Sequence, residues 1–199
     1  MRSQVAAALA VAFTAALSSA AHATDAGVVE TVANAAYGTA PSMTKMQKHA
    51  GDPVLHRELL ETSKQGGMLV KFADGSNLDL GAASKLLVVA YVYQPDQSLG
   101  NAIVSLPSGT MHYVTGAMPK GHTTIYTPTA TMVLNGTDVS VGVNAQGNTH
   151  LVVDEGTVTV RSRTTGQEMV YNAGESVDIT PSGVTTSTAE LTADQQSAL

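Results

Sequence analysis

Met68-Leu69-Val70-Lys71-Phe72-Ala73-Asp74-Gly75-Ser76-Asn77-Leu78-Asp79-Leu80 reads as two short strands around a tight bend. Met68, Val70 and Phe72 alternate with Leu69 and Lys71, and Leu78 and Leu80 alternate with polar neighbours, the period of a half-buried strand. A two-residue loop at Asp74-Gly75 would set Val70 against Asp79 and mix the buried and wet faces. A three-residue loop, Ala73-Asp74-Gly75, sets Val70 opposite Leu78 and Met68 opposite Leu80. The apolar register selects this longer loop, with glycine in its left-handed third position.

The same device is expected twice more. Val139, Val141 and Val143 lead into Ala145-Gln146-Gly147, which places Val141 opposite Leu151 and Val139 opposite Val153. Thr164-Thr165-Gly166 is expected to place Val160 opposite Val170. Further strands are predicted at 85–93, 101–106, 110–115, 123–127, 130–134 and 175–180, with Pro95, Pro107, Pro119 and Pro128 between runs, where a missing N–H interrupts no ladder. The segment 27–36 suits a helix or a strand equally. The expected fold is therefore all-β, a single domain of many short antiparallel strands and hairpins in a twisted, solenoid-like sandwich.

The chain begins like an exported protein. Arg2 precedes an apolar run from Val5 to Leu17, and Ala21-His22-Ala23 offers the small residues that signal peptidase requires. The reading divides the chain into a signal peptide (1–23), a β domain (24–180) and a polar C-terminal tail (181–199). The apolar run is shorter than the roughly 20 residues of a membrane-spanning helix, so the mature chain is expected to span no membrane and to reside in the periplasm or be secreted. No cysteine is present, which removes disulfides, thiol chemistry and thiolate metal sites. The formal net charge is −6 and becomes −7 when Arg2 leaves with the leader. Lys45 with Lys48, and Arg161 with Arg163, are the nearest approach to a basic patch, so no nucleic-acid partner is expected.

The sequence carries no recognisable catalytic or metal-binding motif. Asp74 with Asp79, and Asp154 with Glu155, are accounted for by turns and exposed strand faces rather than by paired acid chemistry or an EF-hand loop. His49, His56, His112, His122 and His150 lack a zinc-binding spacing, although His112 and His122 could approach across strands. Ser105 and Ser108 sit in no nucleophile elbow, and Gly66-Gly67 opens no phosphate loop. Asn135-Gly136-Thr137 has the form of a glycosylation acceptor but fits a strand turn. Tyr91 and Tyr93, with His112 and Tyr113, suit ordinary packing better than a ligand groove. No catalytic residue, metal ligand or cofactor is assigned.

Several segments, taken in order, resemble the FecR domain family. Phe72-Ala73-Asp74-Gly75-Ser76-Asn77-Leu78-Asp79-Leu80-Gly81, followed by Ser84 and Leu86, is similar to its "F-x-D-G-S-x-L-x-L-G-x-x-S-x-L" stretch. Gly51-Asp52-Pro53-Val54 and Glu58 to Thr62 resemble strands upstream of it. Gly109 to Gly116, Thr127 to Thr137, Glu155 to Val160 and Ala173 to Val177 resemble strands downstream. The resemblance runs from about Gly27 to Ile179 and marks Asp74, Gly75, Ser76, Gly81, Ser84, Gly116, Gly136, Thr137, Gly156, Val158 and Gly174 as structural motif residues. It implies a twisted β domain that contacts an envelope protein, such as the signalling domain of an outer-membrane receptor. The chain departs from the family at Asn135, where arginine is usual. It also has a cleavable leader where the family's regulators carry an anti-sigma segment and a membrane span. The expected role is a periplasmic protein- or ligand-binding, signalling-type module, with a secreted carbohydrate- or cell-wall-binding or structural module as the alternative and no enzymatic activity.

Overall fold

The computed structural model describes residues 25–97 and 99–187. Among these there is no α-helix, only one 3₁₀ turn at Pro95–Gln97. The signal-peptide reading and the segment from Thr188 to Leu199 lie outside the described residues.

The chain opens with β1 (Asp25–Ala33), β2 (Ala36–Thr39), β3 (Met46–Gln47), β4 (Pro53–Leu55) and β5 (Leu59–Thr62). Then come β6 (Gly67–Phe72), β7 (Asn77–Leu80), β8 (Lys85–Gln94) and the long β9 (Leu99–Val114). The second half holds β10 (Thr123–Tyr126), β11 (Ala130–Leu134), β12 (Asp138–Val143), β13 (Thr149–Glu155) and β14 (Thr157–Ser162). It ends with β15 (Glu168–Asn172), β16 (Ser176–Thr180) and β17 (Gly183–Ser187). The ambiguous segment near residue 27 is thus a strand. The stretch beyond Pro181, read as a polar tail, first supplies one more strand, β17, paired to β16.

All 17 strands belong to one hydrogen-bonded network that β9 divides into two wings. One wing runs β4-β1-β6-β7-β9-β12-β13-β16-β17. The other runs β3-β2-β5-β8-β9-β10-β11-β14-β15. From β10 onward successive hairpins are laid alternately: β10–β11 on the second wing, β12–β13 on the first, β14–β15 on the second, β16–β17 on the first. All pairings are antiparallel except β9 with β10, which is parallel.

The apolar faces of both wings meet in one core. Val70, Leu78, Met111, Val141, Leu151 and Val177 come from the first wing, and Leu60, Leu86, Val104, Ile125, Met132 and Val158 from the second. Alternation explains why this is possible, since each strand presents every second residue inward. Phe72 and Tyr91 stack between the wings with ring centroids 4.6 Å apart.

Two of the three hairpins have the expected register. Val70 faces Leu78 and Met68 faces Leu80; Val141 faces Leu151 and Val139 faces Val153. Gly75 and Gly147 close these loops at φ of +82° and +80°, the left-handed conformation that suits glycine. The third hairpin is out of step by one residue. Val160 faces Met169, while Val170 faces Thr159 and is 58% exposed. Ser162 N–H reaches the Gln167 carbonyl and Gly166 N–H the Ser162 carbonyl, so the loop holds four residues, 163–166, rather than three. The inward residue is Tyr171, opposite Val158 and 2% exposed. Its larger apolar surface outweighs that of Val170.

A second departure lies in β9. Two strands separated by Pro107 were expected, and one continuous strand is found. Its earlier part pairs with β8 and β10, its later part with β7 and β12. Pro107-Ser108-Gly109 is where the strand passes between wings, with a register shift near Lys85 and Gly109 at φ +96°. Strands that change sheets do so at such irregularities.

Truncating Leu78, which is fully buried, to alanine should cost about 2–5 kcal/mol. Val170→Ala, on the wet face, should change stability by less than about 0.5 kcal/mol. Urea unfolding followed by far-UV circular dichroism checks both; equal losses would contradict the register of the third hairpin.

Candidate functional site

Aspartate 74 was read as a turn residue, and its side chain does form an Asx turn, accepting Ser76 N–H at 2.9 Å. It is not an exposed one. Asp74 is 5% exposed and Ser76 is fully buried. The carboxylate also accepts the Ser76 hydroxyl (2.7 Å), Met118 N–H (3.0 Å) and the Tyr91 hydroxyl. The Asp74 carbonyl takes Ala117 N–H at 2.8 Å, and Ser76 Oγ takes Gly116 N–H at 2.8 Å. A Cβ on Gly116 would lie 2.4 Å from Ser76 N, so the chain after β9 approaches the hairpin closely only as glycine. Asp74, Gly75, Ser76 and Gly116 are thereby brought into one knot that ties the β6–β7 bend to β8 and to the end of β9.

The remaining motif residues form further knots. Ser84 N–H donates to Thr62 Oγ1 (2.9 Å), its hydroxyl to the Thr110 carbonyl (3.1 Å), and Thr110 N–H donates back to Ser84 Oγ (2.8 Å). Gly81 joins them through its N–H to the Thr110 carbonyl and its carbonyl to the Thr62 hydroxyl. Thr137 N–H donates to Thr115 Oγ1 (2.6 Å) beside Gly136, whose carbonyl sits against Gly156. Gly174 N–H reaches the Val153 carbonyl, and Val158 belongs to the core. Thr127, Thr129 and Thr149 link their hydroxyls at 2.7 Å, and Thr129 adds a bond to the Ile179 carbonyl. The sequence pattern marked most of these positions, Thr62 included, but not Thr115 or Met118, which meet them only after folding.

Asp74 and Asp79 stay apart, in keeping with their turn and strand-face roles. Asp79 lies on the wet face of β7 opposite His112, away from the Asp74 knot, and burial raises its carboxyl above the usual range. Asp154 and Glu155 are exposed at the end of β13. The histidines also separate. His112 Nε2 lies 2.5 Å from Asp138 Oδ1, His122 Nδ1 bonds the Gly100 carbonyl at 2.8 Å, and His56 Nδ1 accepts Tyr91 N–H at 3.2 Å. His112, Asp138 and Asp154 bring their ligand-capable atoms within 4.8 Å of one another. His150 Nδ1 pairs with Asp178 Oδ1 at 2.7 Å.

Tyrosine 91 is 2% exposed, stacked on Phe72 and bonded to Asp74, so it belongs to packing and not to a groove. Tyr93, half-buried, packs against the same core. The lysines are neutralised in place: Lys48 forms a buried pair with Glu58 at 2.6 Å, and Lys45 reaches Glu61 at 2.6 Å above the Tyr37 ring. Beside its lysines Glu61 is held below the ordinary glutamate range, chiefly by Lys45.

The surface that most invites a partner is the β14–β15 margin. β15 is hydrogen-bonded on one side only among the described residues, and it exposes Met169 (38%) and Val170 (58%). Arg161 and Arg163 line an adjoining depression of about 420 Å³ with Tyr126, Thr131, Ser162 and Gly166. Sequence reasoning placed Val170 inside and so missed this margin.

The described residues thus form a cysteine-free β-sandwich with knotted hairpin corners and an open margin at β15. The sequence model of the family described as FecR protein matches residues 58–159, just over half of the chain, and the chain belongs to that family. The match is narrower than the resemblance read from the sequence and leaves β1 to β4 and β15 to β17 outside it. None of the curated proteins matches the chain. Two crystal structures, at 2.50 Å and 1.65 Å, of a protein from Parabacteroides distasonis described as a "putative anti-sigma factor" share the fold. Their TM-scores are 0.53 and 0.52, at 14% and 15% identity, covering 65% of this chain and 58% of theirs. The chain thus spans less than two thirds of those proteins.

Replacing Asp74 with alanine leaves the Ser76 and Met118 N–H groups and the Tyr91 hydroxyl buried without their acceptor. The expected loss is on the order of 3 kcal/mol or more, against about 1–2 kcal/mol for Ser76→Ala, both measured by urea unfolding. Burial pushes the Tyr91 and Tyr113 hydroxyls up, with Asp74 adding to both. Because both are raised, their contribution to stability is intact below the ordinary phenol value of about 10 and is lost as pH rises beyond it. In an alkaline titration at 295 nm, the absorbance of two of the six tyrosines should appear only together with unfolding.

Proposed function

We propose that the chain is an exported, non-catalytic FecR-domain module that takes part in envelope signalling by binding a protein partner along the β14–β15 margin. The observation that carries this reading is an edge strand that leaves Val170 exposed on its outward face and Met169 partly exposed at the rim of its inward face, next to two arginines. Such an edge accepts a partner strand through main-chain hydrogen bonds, and side chains on alternate positions supply selectivity. Arg161 and Arg163 stand out in a chain of net charge −6 and favour a partner segment that carries carboxylates. Family membership supports a regulatory role. The leader pattern at 1–23 supports export to the periplasm. The partner of choice is the periplasmic signalling domain of an outer-membrane receptor.

Periplasmic material should begin at Thr24 on N-terminal sequencing; a membrane fraction that retains Arg2 would contradict export. A photo-crosslinking residue at Val170, introduced in cells, should capture the receptor's signalling domain, whereas the same residue at exposed Val28 on β1 should not. Val170→Lys should abolish the signalling output while leaving thermal stability unchanged. Equal capture at both positions, or none at Val170, would sink the edge-binding reading.

A further inference from the structure

The wet face of the first wing carries a second site. Thr110 on β9, Gly142 on β12, His150 on β13 and Asp178 on β16 stand directly opposite one another in a single row across four strands. Residues that face one another across a ladder share a side of the sheet, so all four project outward. Neighbouring strands lie about 4.8 Å apart, which places the Cα atoms of Thr110 and His150 roughly 9–10 Å from each other with only a glycine between them. The missing side chain at Gly142 leaves a slot. It opens into a depression of about 150 Å³ that Asn144, Asn148 and Asp178 also line.

Two buried polar atoms of this slot lack a hydrogen-bond partner among the described residues: Thr110 Oγ1 and His150 Nε2. His150 is 9% exposed. A buried polar atom left unbonded costs about 1–3 kcal/mol, and two in one cavity single it out. The chemistry of the slot follows from the surrounding bonds. A carboxylate at Asp178 can only accept, so His150 Nδ1 carries the proton of their 2.7 Å bond, and in the neutral imidazole Nε2 presents a lone pair. Asn144 Oδ1 already accepts the Gln146 and Asn148 N–H groups, each at 3.0 Å, which leaves its amide NH₂ to donate. The Thr110 hydroxyl can do either. No lysine or arginine lines the depression, and Asp178 adds negative charge, so an anion is disfavoured.

We propose that this slot binds the hydroxylated ring of a neutral sugar. The ligand must offer donors to His150 Nε2 and acceptors to Asn144 within one compact body, and adjacent hydroxyl groups do both. The volume equals about five water molecules and admits one ring rather than a chain. The bare backbone at Gly142 gives the C–H face of a ring a close approach. The site lies on the opposite wing from the β14–β15 margin and does not rest on partner binding there.

Titration of the folded protein with methyl glycosides of glucose, galactose, mannose and N-acetylglucosamine, followed by ¹H–¹⁵N NMR, tests the proposal. Short oligosaccharides ending in the same units distinguish a free sugar from the terminus of a chain. Saturable binding in roughly the millimolar range is expected, with shifts centred on Gly142 and His150. Thr110→Val removes a hydroxyl that bonds no described residue, so it should weaken binding at least tenfold without lowering the melting temperature. His150→Phe should do the same to binding, and Gly142→Val should block the slot. Failure of every sugar to bind, binding unaffected by Thr110→Val, or shifts elicited by Zn²⁺ alone would overturn the proposal.

Discussion

The hydrogen bonds of β9 hold both wings in one frame. Its earlier residues satisfy β8 and β10, and its later residues satisfy β7 and β12, so a single backbone carries ladders in two directions. A strand that changes wings must bend without leaving its N–H and C=O groups unmatched in the interior. The bend falls at Pro107, which has no N–H to satisfy, and at Gly109, which tolerates the required φ. Ser84 binds both the N–H and the carbonyl of the next residue, Thr110, and completes the local bonding. The family-motif serine thus braces the strand where it changes wings.

The Asp74 knot answers a second demand of the same architecture. Hairpins laid alternately on two wings leave corner segments that cross the ends of the core, and their backbone donors need acceptors there. A single carboxylate satisfies donors from residues 76, 91 and 118. Burying a charge is unfavourable unless it is fully hydrogen-bonded, and here several donors converge upon it. The aspartate-glycine-serine run thus serves twice, once in the turn and once in closing the sandwich.

Much of this was legible in the sequence because two-residue periodicity reports directly on which face of a strand is buried. Val70 with Leu78 and Val141 with Leu151 could be placed from alternation and loop length alone. The third hairpin could not. Val170 and Tyr171 are both acceptable inside, and loops of three or four residues ending in Gly166 differ by no local signal. The choice came from how much apolar surface the opposite wing could cover. The continuity of β9 was hidden for a related reason, since Pro107 is an interruption in a flat sheet and a convenience at a bend. Contacts between residues far apart in the chain, such as Asp74 with Met118 or His150 with Asp178, leave no trace in local spacing. The open margin at β15 was lost along with the register.

The alternation of hairpins between wings has a consequence for how such a chain can vary. From β10 onward each hairpin takes its outer bonding from the hairpin two places away on the same wing, β11 from β14 and β13 from β16, while the intervening hairpin is laid on the other wing. Two consecutive hairpins, one per wing, form a unit that restores the starting arrangement. Inserting or deleting such a unit would lengthen or shorten the stack while leaving the inward pattern of every remaining strand in phase. Losing one hairpin alone would put all later strands on the wrong wing. Length changes in relatives of this fold should therefore come in even numbers of hairpins.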